Sequence, residues 1–415
     1  MVINGKYRCA KCMTEMAATD SICSCGCDNA NVKNPFHTLQ IGTVLANNYI
    51  VGNVIGEGGF GITYVGWDTT LDLKVAIKEL YLSGISNRDA TVSAIVSSSY
   101  GQDYENFEQY REKFINEAKI LAKLKDEPGI VNVFRFFKEN NTAYIAMEFI
   151  EGRTLKSLLK ERQRITVDEM MRIVDPIMNS LSKVHAAKFA HRDISPDNIM
   201  ITESGAGKLI DFGAARDVSD ENKSISVLLK HGYAPIEQYQ THGNQGPWTD
   251  VYALSATMYK CLTGQIPLEA IDRISGKYMP GVCEIAHECD RKISDVIMKG
   301  LSINYEDRYQ TVAEMKQALS NAIRGMGSSA GAAATNAQTL AAQNIARNQQ
   351  VQPTDNRYAN PVQNGSNYPV TPMDSSVSKA ARTGKMLNGI IIGELVAVVA
   401  LIIAIVVFIA KNIIF

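Results

Sequence analysis

A surplus of charge of either sign is what this 415-residue chain lacks: 42 Lys and Arg stand against 43 Asp and Glu, a formal net charge of −1. No global basic field exists to hold a phosphate backbone, so nucleic acid is not an expected partner. The opening residues, MVINGKYRCAKC, lack the charged-then-apolar run of a secretory signal, and no cleaved signal peptide is expected. Internal repeats are absent too, which excludes a solenoid or repeat array. Cysteine is sparse and uneven: five of eight lie between Cys9 and Cys27, and only Cys261, Cys283 and Cys289 follow. What is plentiful is apolar: 46% of residues are hydrophobic, enough to bury a large core and to build more than one unit.

Four units follow from composition. Residues 7–29 hold the cysteine cluster, and residues 49–323 alternate strand-like and helix-like segments. Residues 325–385 are rich in Ala, Asn, Gln, Ser, Gly and Pro without a lasting apolar period. They bury too little surface to offset ordering entropy, and read as a disordered tether with a reach on the order of 40 Å. Residues 387–410 (LNGIIIGELVAVVALIIAIVVFIA) are almost continuously apolar. At roughly 1.5 Å per residue they cross the ~30 Å hydrocarbon core as one transmembrane helix. Lys379, Arg382 and Lys385 precede the span and Lys411 follows it, which puts the N-terminal side in the cytoplasm. With five residues beyond the span, no external sensor domain is expected. Glu394 lies in the first third of the helix, where it can snorkel to the headgroups. Gly389 and Gly393 form one small-xxx-small pair, compatible with a homodimer.

The strongest pattern is a series of five motifs in about 160 residues: GEGGFG at Gly56–Gly61, VAIK at Val75–Lys78, Glu117 within FINEAKILAKL, HRDISPDN at His191–Asn198, and DFG at Asp211–Gly213. A lone GxGxxG is weak, because glycines cluster in ordinary turns. In this order and spacing, however, the set is the signature of a protein kinase. From about Tyr49 to Ala322 the chain resembles the eukaryotic-like serine/threonine kinases of bacteria. The resemblance implies an α+β bilobal protein kinase fold, with a β-rich N-lobe and a helical C-lobe.

Phosphoryl transfer needs positioning and charge neutralisation more than covalent chemistry. The glycine-rich loop, Gly56, Glu57, Gly58, Gly59, Phe60 and Gly61, brings backbone close to the phosphates of ATP. By resemblance, Ile55 and Thr63 flank the adenine, Thr63 standing where the family prefers Val, and Ala76 roofs it. Lys78 pairs with the α/β-phosphates, held by Glu117. Phe114, Ala118, Leu121 and Leu124 form the apolar stripe of that helix, with Glu117 at its border. AYIAMEFIEG resembles the hinge: Met147 is the gatekeeper, the backbone of Glu148 and Ile150 meets the adenine edge, and Met200 is the floor. Asp193 is the expected catalytic base. Asn198 and Asp211 are the expected ligands of Mg²⁺, with Mn²⁺ as an alternative. Arg192 before the base suggests control by phosphorylation of the activation segment, with Ser219, Ser224 and Ser226 as candidates. Glu237 is expected to pair with Arg308, and Asp250 of TDVYAL to anchor the catalytic loop.

Three departures from the family pattern stand out. Ser195 replaces the lysine that usually helps position the γ-phosphate and the base. The Gly-Thr before the substrate platform is missing, the chain running Lys230-His231-Gly232-Tyr233-Ala234-Pro235-Ile236-Glu237. In the family that threonine bonds the lysine and the aspartate, so the two losses read either as one coordinated replacement or as decay. Finally, 38 residues separate Lys78 from Glu117, about twice the family's usual length. The insertion is either a regulator of the Lys78–Glu117 pair or neutral.

A chain that works on ATP has little use for a disulfide framework, so clustered cysteines read as a metal site. Cys9-x2-Cys12 and Cys23-x-Cys25-x-Cys27 resemble a short zinc ribbon whose second knuckle departs from CxxCG. Cys9, Cys12, Cys23 and Cys25 are the expected ligands of a structural Zn²⁺, with Cys27 as the alternative fourth. The expected function is an ATP-dependent serine/threonine protein kinase acting on protein Ser or Thr. The expected location is the cell membrane, crossed once, with the N-terminus and catalytic domain in the cytoplasm. The alternative is a pseudokinase, an ATP-binding scaffold that signals by shape.

Overall fold

The computed structural model describes residues 1–89, 93–98, 102–212, 216–217, 229–240 and 243–325. The expected span 387–410, the tether from 326 onward and the three candidate serines lie outside the described residues. Among the described residues no helix is long and apolar enough to cross a membrane.

Three short antiparallel strands, β1 (Val2–Ile3), β2 (Lys6–Arg8) and β3 (Glu15–Met16), form a small sheet that presents the cysteine loops. The unit starts at Val2 rather than at residue 7. Ile3 is buried with Met13, Val65 and Trp67, so the first strand is fixed by tertiary contact and not by any local period. The small sheet docks on the following domain. The Arg8 guanidinium lies 3.5 Å over the Trp67 ring, and Ala10 O accepts a hydrogen bond from Asn53 N at 2.8 Å. Gly52 permits this approach, since a Cβ there would collide with Met13 Cε and the Ala10 carbonyl oxygen.

The N-lobe is a six-stranded antiparallel sheet. Its strands are β4 (Val44–Leu45), β5 (Tyr49–Gly58), β6 (Gly61–Asp68), β7 (Leu73–Leu80), then β10 (Val133–Glu139) and β11 (Thr142–Glu148), in the order β10-β11-β7-β6-β5-β4. Between β7 and the long helix α1 (Gln102–Lys123), a minimal hairpin, β8 (Ser86–Asn87) with β9 (Ser97–Ser98), occupies the insertion. Phe107, Phe114, Ala118 and Leu121 recur at spacings of seven, four and three residues, and bury one stripe of α1 against the sheet. Glu117, expected at the stripe's border, is itself buried at 5% exposure.

The C-lobe is helical. Strand β12 (Gly152–Thr154) leads into α2 (Leu155–Arg162) and α3 (Val167–Ala186). Helix α3 opens with a Thr166–Glu169 capping box and buries Met170, Ile173, Val174, Ile177, Met178, Leu181 and Val184. The catalytic loop lies between β13 (Phe189–Ala190) and β14 (Ile199–Thr202), and β15 (Gly207–Leu209) carries the chain to Asp211. Helix α4 (Pro247–Thr263), buried along nearly its whole length, is the central post of the lobe.

Candidate active site

Register in the N-lobe sheet assembles the phosphate end of the cleft. Gly56 pairs with Thr63, and Thr63 with Lys78, so glycine loop and lysine lie side by side across three strands. Gly61 sits so close to β7 that a Cβ would come within 2.5 Å of Glu79 O. Ala76 pairs with Val65 on one side and Met147 on the other, and both Ala76 and Met147 are buried. Ile55, in the second half of β5, is 48% exposed. The Glu148 carboxylate is held by Lys208 Nζ at 2.7 Å from both oxygens, and Met200 pairs with Thr154 between the lobes.

Lys78 Nζ donates to Asp211 Oδ1 at 2.5 Å and stands 3.9 Å from Glu117 Oε1. Glu117 Oε1 also accepts the Phe212 amide at 3.0 Å, which ties α1 to the DFG segment. Burial acts to lower the Lys78 pKa, but the attraction of Asp211 and Glu117 outweighs it, and the ammonium stays charged. Burial pushes Glu117 up to about 7, against the lowering pull of Lys78. Phe212 is fully buried, its ring 4.3 Å from that of His191, so Asp211 is turned toward the lysine.

The catalytic loop is pinned from below. Asp250, wholly buried on α4, accepts the His191 amide at 2.8 Å, the Arg192 amide at 2.7 Å and His185 Nε2 at 2.7 Å. Arg192 has φ of 66°, a left-handed conformation that a non-glycine residue keeps only under such restraint. Burial acts to raise Asp250, yet the His185 hydrogen bond and neighbouring charges hold its pKa below the usual carboxylate value. Asp193 emerges from this loop with Asn198 Nδ2 donating to its Oδ2 at 2.8 Å. Lys230 Nζ lies 3.0 Å from its Oδ1. Glu237 and Arg308 form a buried two-bond pair at 2.6 and 3.0 Å, which fixes the platform that follows Lys230.

One buried cluster, centred on Glu79, carries little signal in the sequence. Arg88, in the insertion, is fully buried against Glu79, the neighbour of Lys78, at 2.5 and 2.9 Å. Tyr64 and Tyr144 hydroxyls each donate to Glu79 at 2.8 Å, and Arg88 also donates to His37 O. An arginine in a serine-rich loop carries no local sign of burial; the only hint is an acidic residue embedded in VAIKEL. The insertion thus supplies a structural strut to β7.

In the cysteine unit, the sulfurs of Cys9, Cys12, Cys23 and Cys25 all lie within 4.8 Å of one another. Cys9 and Cys25 sulfurs are 3.7 Å apart, and Cys12 and Cys23 sulfurs 3.6 Å. Burial acts to raise the Cys9 thiol, but the amides of Cys12 and Lys11 bring it down to about 6. Cys27 is buried nearby, outside that group of four.

A glycine-rich hairpin beside a lysine, a helix carboxylate near that lysine, and Asp193, Asn198 and Asp211 on the loops below make up the two-lobed arrangement of the protein kinase class. The chain belongs to the protein kinase family: the family profile for the protein kinase domain matches residues 49–321. Its curated relatives include the probable serine/threonine-protein kinase PknB of Lactococcus lactis, 28% identical over 285 residues (67% of this chain, 42% of that protein). PrkC of Bacillus subtilis is 29% identical over 286 residues, covering 67% of this chain and 41% of the relative. The chain spans about two fifths of the length of these two relatives. Among solved structures, PpkA-294 in its apo form superimposes with a TM-score of 0.60 at 34% identity, covering 68% of this chain and 99% of that one.

Proposed function

We propose that the chain is an ATP- and Mg²⁺-dependent serine/threonine protein kinase, held at the cell membrane by its C-terminal span with the catalytic domain in the cytoplasm. The observation that carries the reading is the convergence of Lys78, Glu117 and Asp211 above Asp193 and Asn198. Mg²⁺ would be held by the hard oxygens of Asn198 and Asp211, neutralising charge on the transferring phosphate. Asp193 would orient the substrate hydroxyl and take its proton. The serine/threonine preference is supported by the names of the relatives, and the membrane tether by the apolar run 387–410.

Structural zinc belongs to the same proposal. Four sulfurs around Zn²⁺ at about 2.3 Å sit roughly 3.8 Å apart on a tetrahedron. The separations of 3.6 and 3.7 Å suit that arrangement. Cys9, Cys12, Cys23 and Cys25 would hold the ion and give the small sheet the core that its size denies it.

The test is phosphate transfer from γ-labelled ATP by the whole chain, beside Asp193→Asn and Asp211→Asn. Label on protein Ser or Thr, reduced by orders of magnitude in both variants, is expected. Saturable Mg-ATP binding without any label would favour the scaffold reading instead.

A further inference from the structure

Two departures from the family pattern, Ser195 in the catalytic loop and Lys230 in the activation segment, are 35 residues apart in sequence and meet in space. Lys230 Nζ donates to Ser195 Oγ at 3.0 Å, and is the same distance from Asp193 Oδ1. We propose that lysine and hydroxyl have exchanged places. The ammonium that the catalytic loop lacks is delivered by Lys230, and Ser195 supplies the hydroxyl that the activation segment lacks.

The geometry around the base supports this assignment. Asp193 has its two oxygens divided between donors, Oδ2 to Asn198 and Oδ1 to Lys230, so its carboxylate has one orientation. Ser195 is fully buried, and its short side chain serves as an acceptor that steers the lysine. Lys230 itself is fixed at its backbone. Its carbonyl accepts the Tyr233 and Ala234 amides at 3.0 and 3.1 Å, and the chain just beyond is anchored by Glu237 to Arg308. Gln238 Nε2 further donates to Arg192 O at 2.8 Å, stitching this segment to the catalytic loop. Asp193, Lys230, Tyr233 and Gln238 line one small cleft beside the catalytic loop.

This inference rests on the kinase reading. In the transfer, the substrate oxygen bonds to the γ-phosphorus as the bridging P–O bond to ADP breaks. The hydroxyl proton passes to Asp193, and Lys230 keeps its own protons. Lys230 acts as a positioning residue for the base and a fixed positive charge beside the moving phosphoryl group. An exchange of this kind joins the two departures as one compensated change, and it makes catalysis depend on the activation segment being in place. A kinase with its lysine on the catalytic loop carries that charge whatever the segment does. Here the segment brings it.

The experiment compares the full chain with Lys230→Thr, Lys230→Arg, Ser195→Lys and the double exchange Ser195→Lys/Lys230→Thr. Melting and Mg-ATP binding are measured for each. We expect Lys230→Thr to lower kcat by about 10²-fold while leaving the KM for ATP within roughly twofold, and Lys230→Arg to retain part of the rate. The double exchange should recover at least about tenfold over Lys230→Thr alone, a gain that no purely structural role would produce. A folded Lys230→Thr with near-normal or increased kcat would overturn the proposal, because the lysine would then be idle or capping the base. A folded double exchange no faster than Lys230→Thr would overturn the exchange. A wild type that binds Mg-ATP and transfers nothing would overturn the kinase reading itself.

Discussion

Replacing Arg88 by alanine tests whether the insertion between β7 and α1 is a strut. In the folded protein Arg88 and Glu79 are both fully buried, and the carboxylate takes two bonds from the guanidinium and one from each of two tyrosine hydroxyls. Arg88→Ala deletes the two charged donors and leaves the carboxylate in a dry interior with neutral partners only. Breaking a buried pair from one side costs about 3–5 kcal/mol. The same change strands the His37 carbonyl, which accepts from Arg88 at 2.9 and 3.1 Å. At about 2–4 °C per kcal/mol for a domain of this size, the melting temperature should fall by roughly 10 °C. Neutralising the orphan with Glu79→Gln in the Arg88→Ala background should recover part of that loss, since an amide is cheaper to bury than an unpaired charge. Differential scanning calorimetry of the wild type, both single variants and the double closes the cycle. If Arg88→Ala melts within about 2 °C of the wild type, or if Glu79→Gln worsens it, the network is not a strut and the reasoning fails.

Other outcomes are expected. Glu117 binds its proton more tightly when folded, with a pKa near 7 against an ordinary 4.5. Its contribution is therefore fully present below about pH 4.5 and lost as the pH rises through 7. Denaturation profiles across that window should be steeper for the wild type than for Glu117→Gln, and equal slopes would contradict the assignment. Metal analysis should find one zinc per chain. That zinc should persist in Cys27→Ser and be lost or weakened in Cys25→Ser, and the reverse pattern would reassign the fourth ligand. Removing residues 386–415 should move the protein from the membrane fraction to the soluble one, whereas persistent association would refute the single anchor.

The catalytic half of the structure was legible because phosphoryl transfer dictates residue type at fixed spacing. Lys78, Glu117, Asp193, Asn198 and Asp211 were singled out from motifs alone, and the fold brings them together over the Asp250 anchor. What escaped was tertiary. Arg88 stands in a serine-rich loop where a charge ordinarily faces water, and only the fold carries it to Glu79. Glu117 was expected at the edge of its helical stripe, yet lies buried because the DFG amide draws it inward. The ambiguity among Cys23, Cys25 and Cys27 could not be resolved by alternation, which would set all three on one side of a strand. In the folded chain the sulfurs of Cys9, Cys12, Cys23 and Cys25 gather within 4.8 Å of one another, while Cys27 is buried beside Cys9 and Cys23 without joining that group. Likewise, the loss of the catalytic-loop lysine and the activation-segment threonine reads from sequence as a coordinated replacement or as decay, and only the fold brings Lys230 Nζ to Ser195 Oγ.

The docking of the cysteine unit on Gly52, Trp67 and Val65 means that the catalytic domain does not begin where family resemblance begins. A fragment cut at residue 49 would keep every catalytic motif and still expose Val65 and Trp67, now covered by Ile3 and Met13. It would also lose β4 and the His37 carbonyl that receives Arg88. Such a fragment would be a lobe with an open flank, prone to self-association through that surface. For this chain the first 48 residues are as much a wall of the N-lobe as any strand of its sheet, and an assay on the trimmed domain would measure a damaged protein.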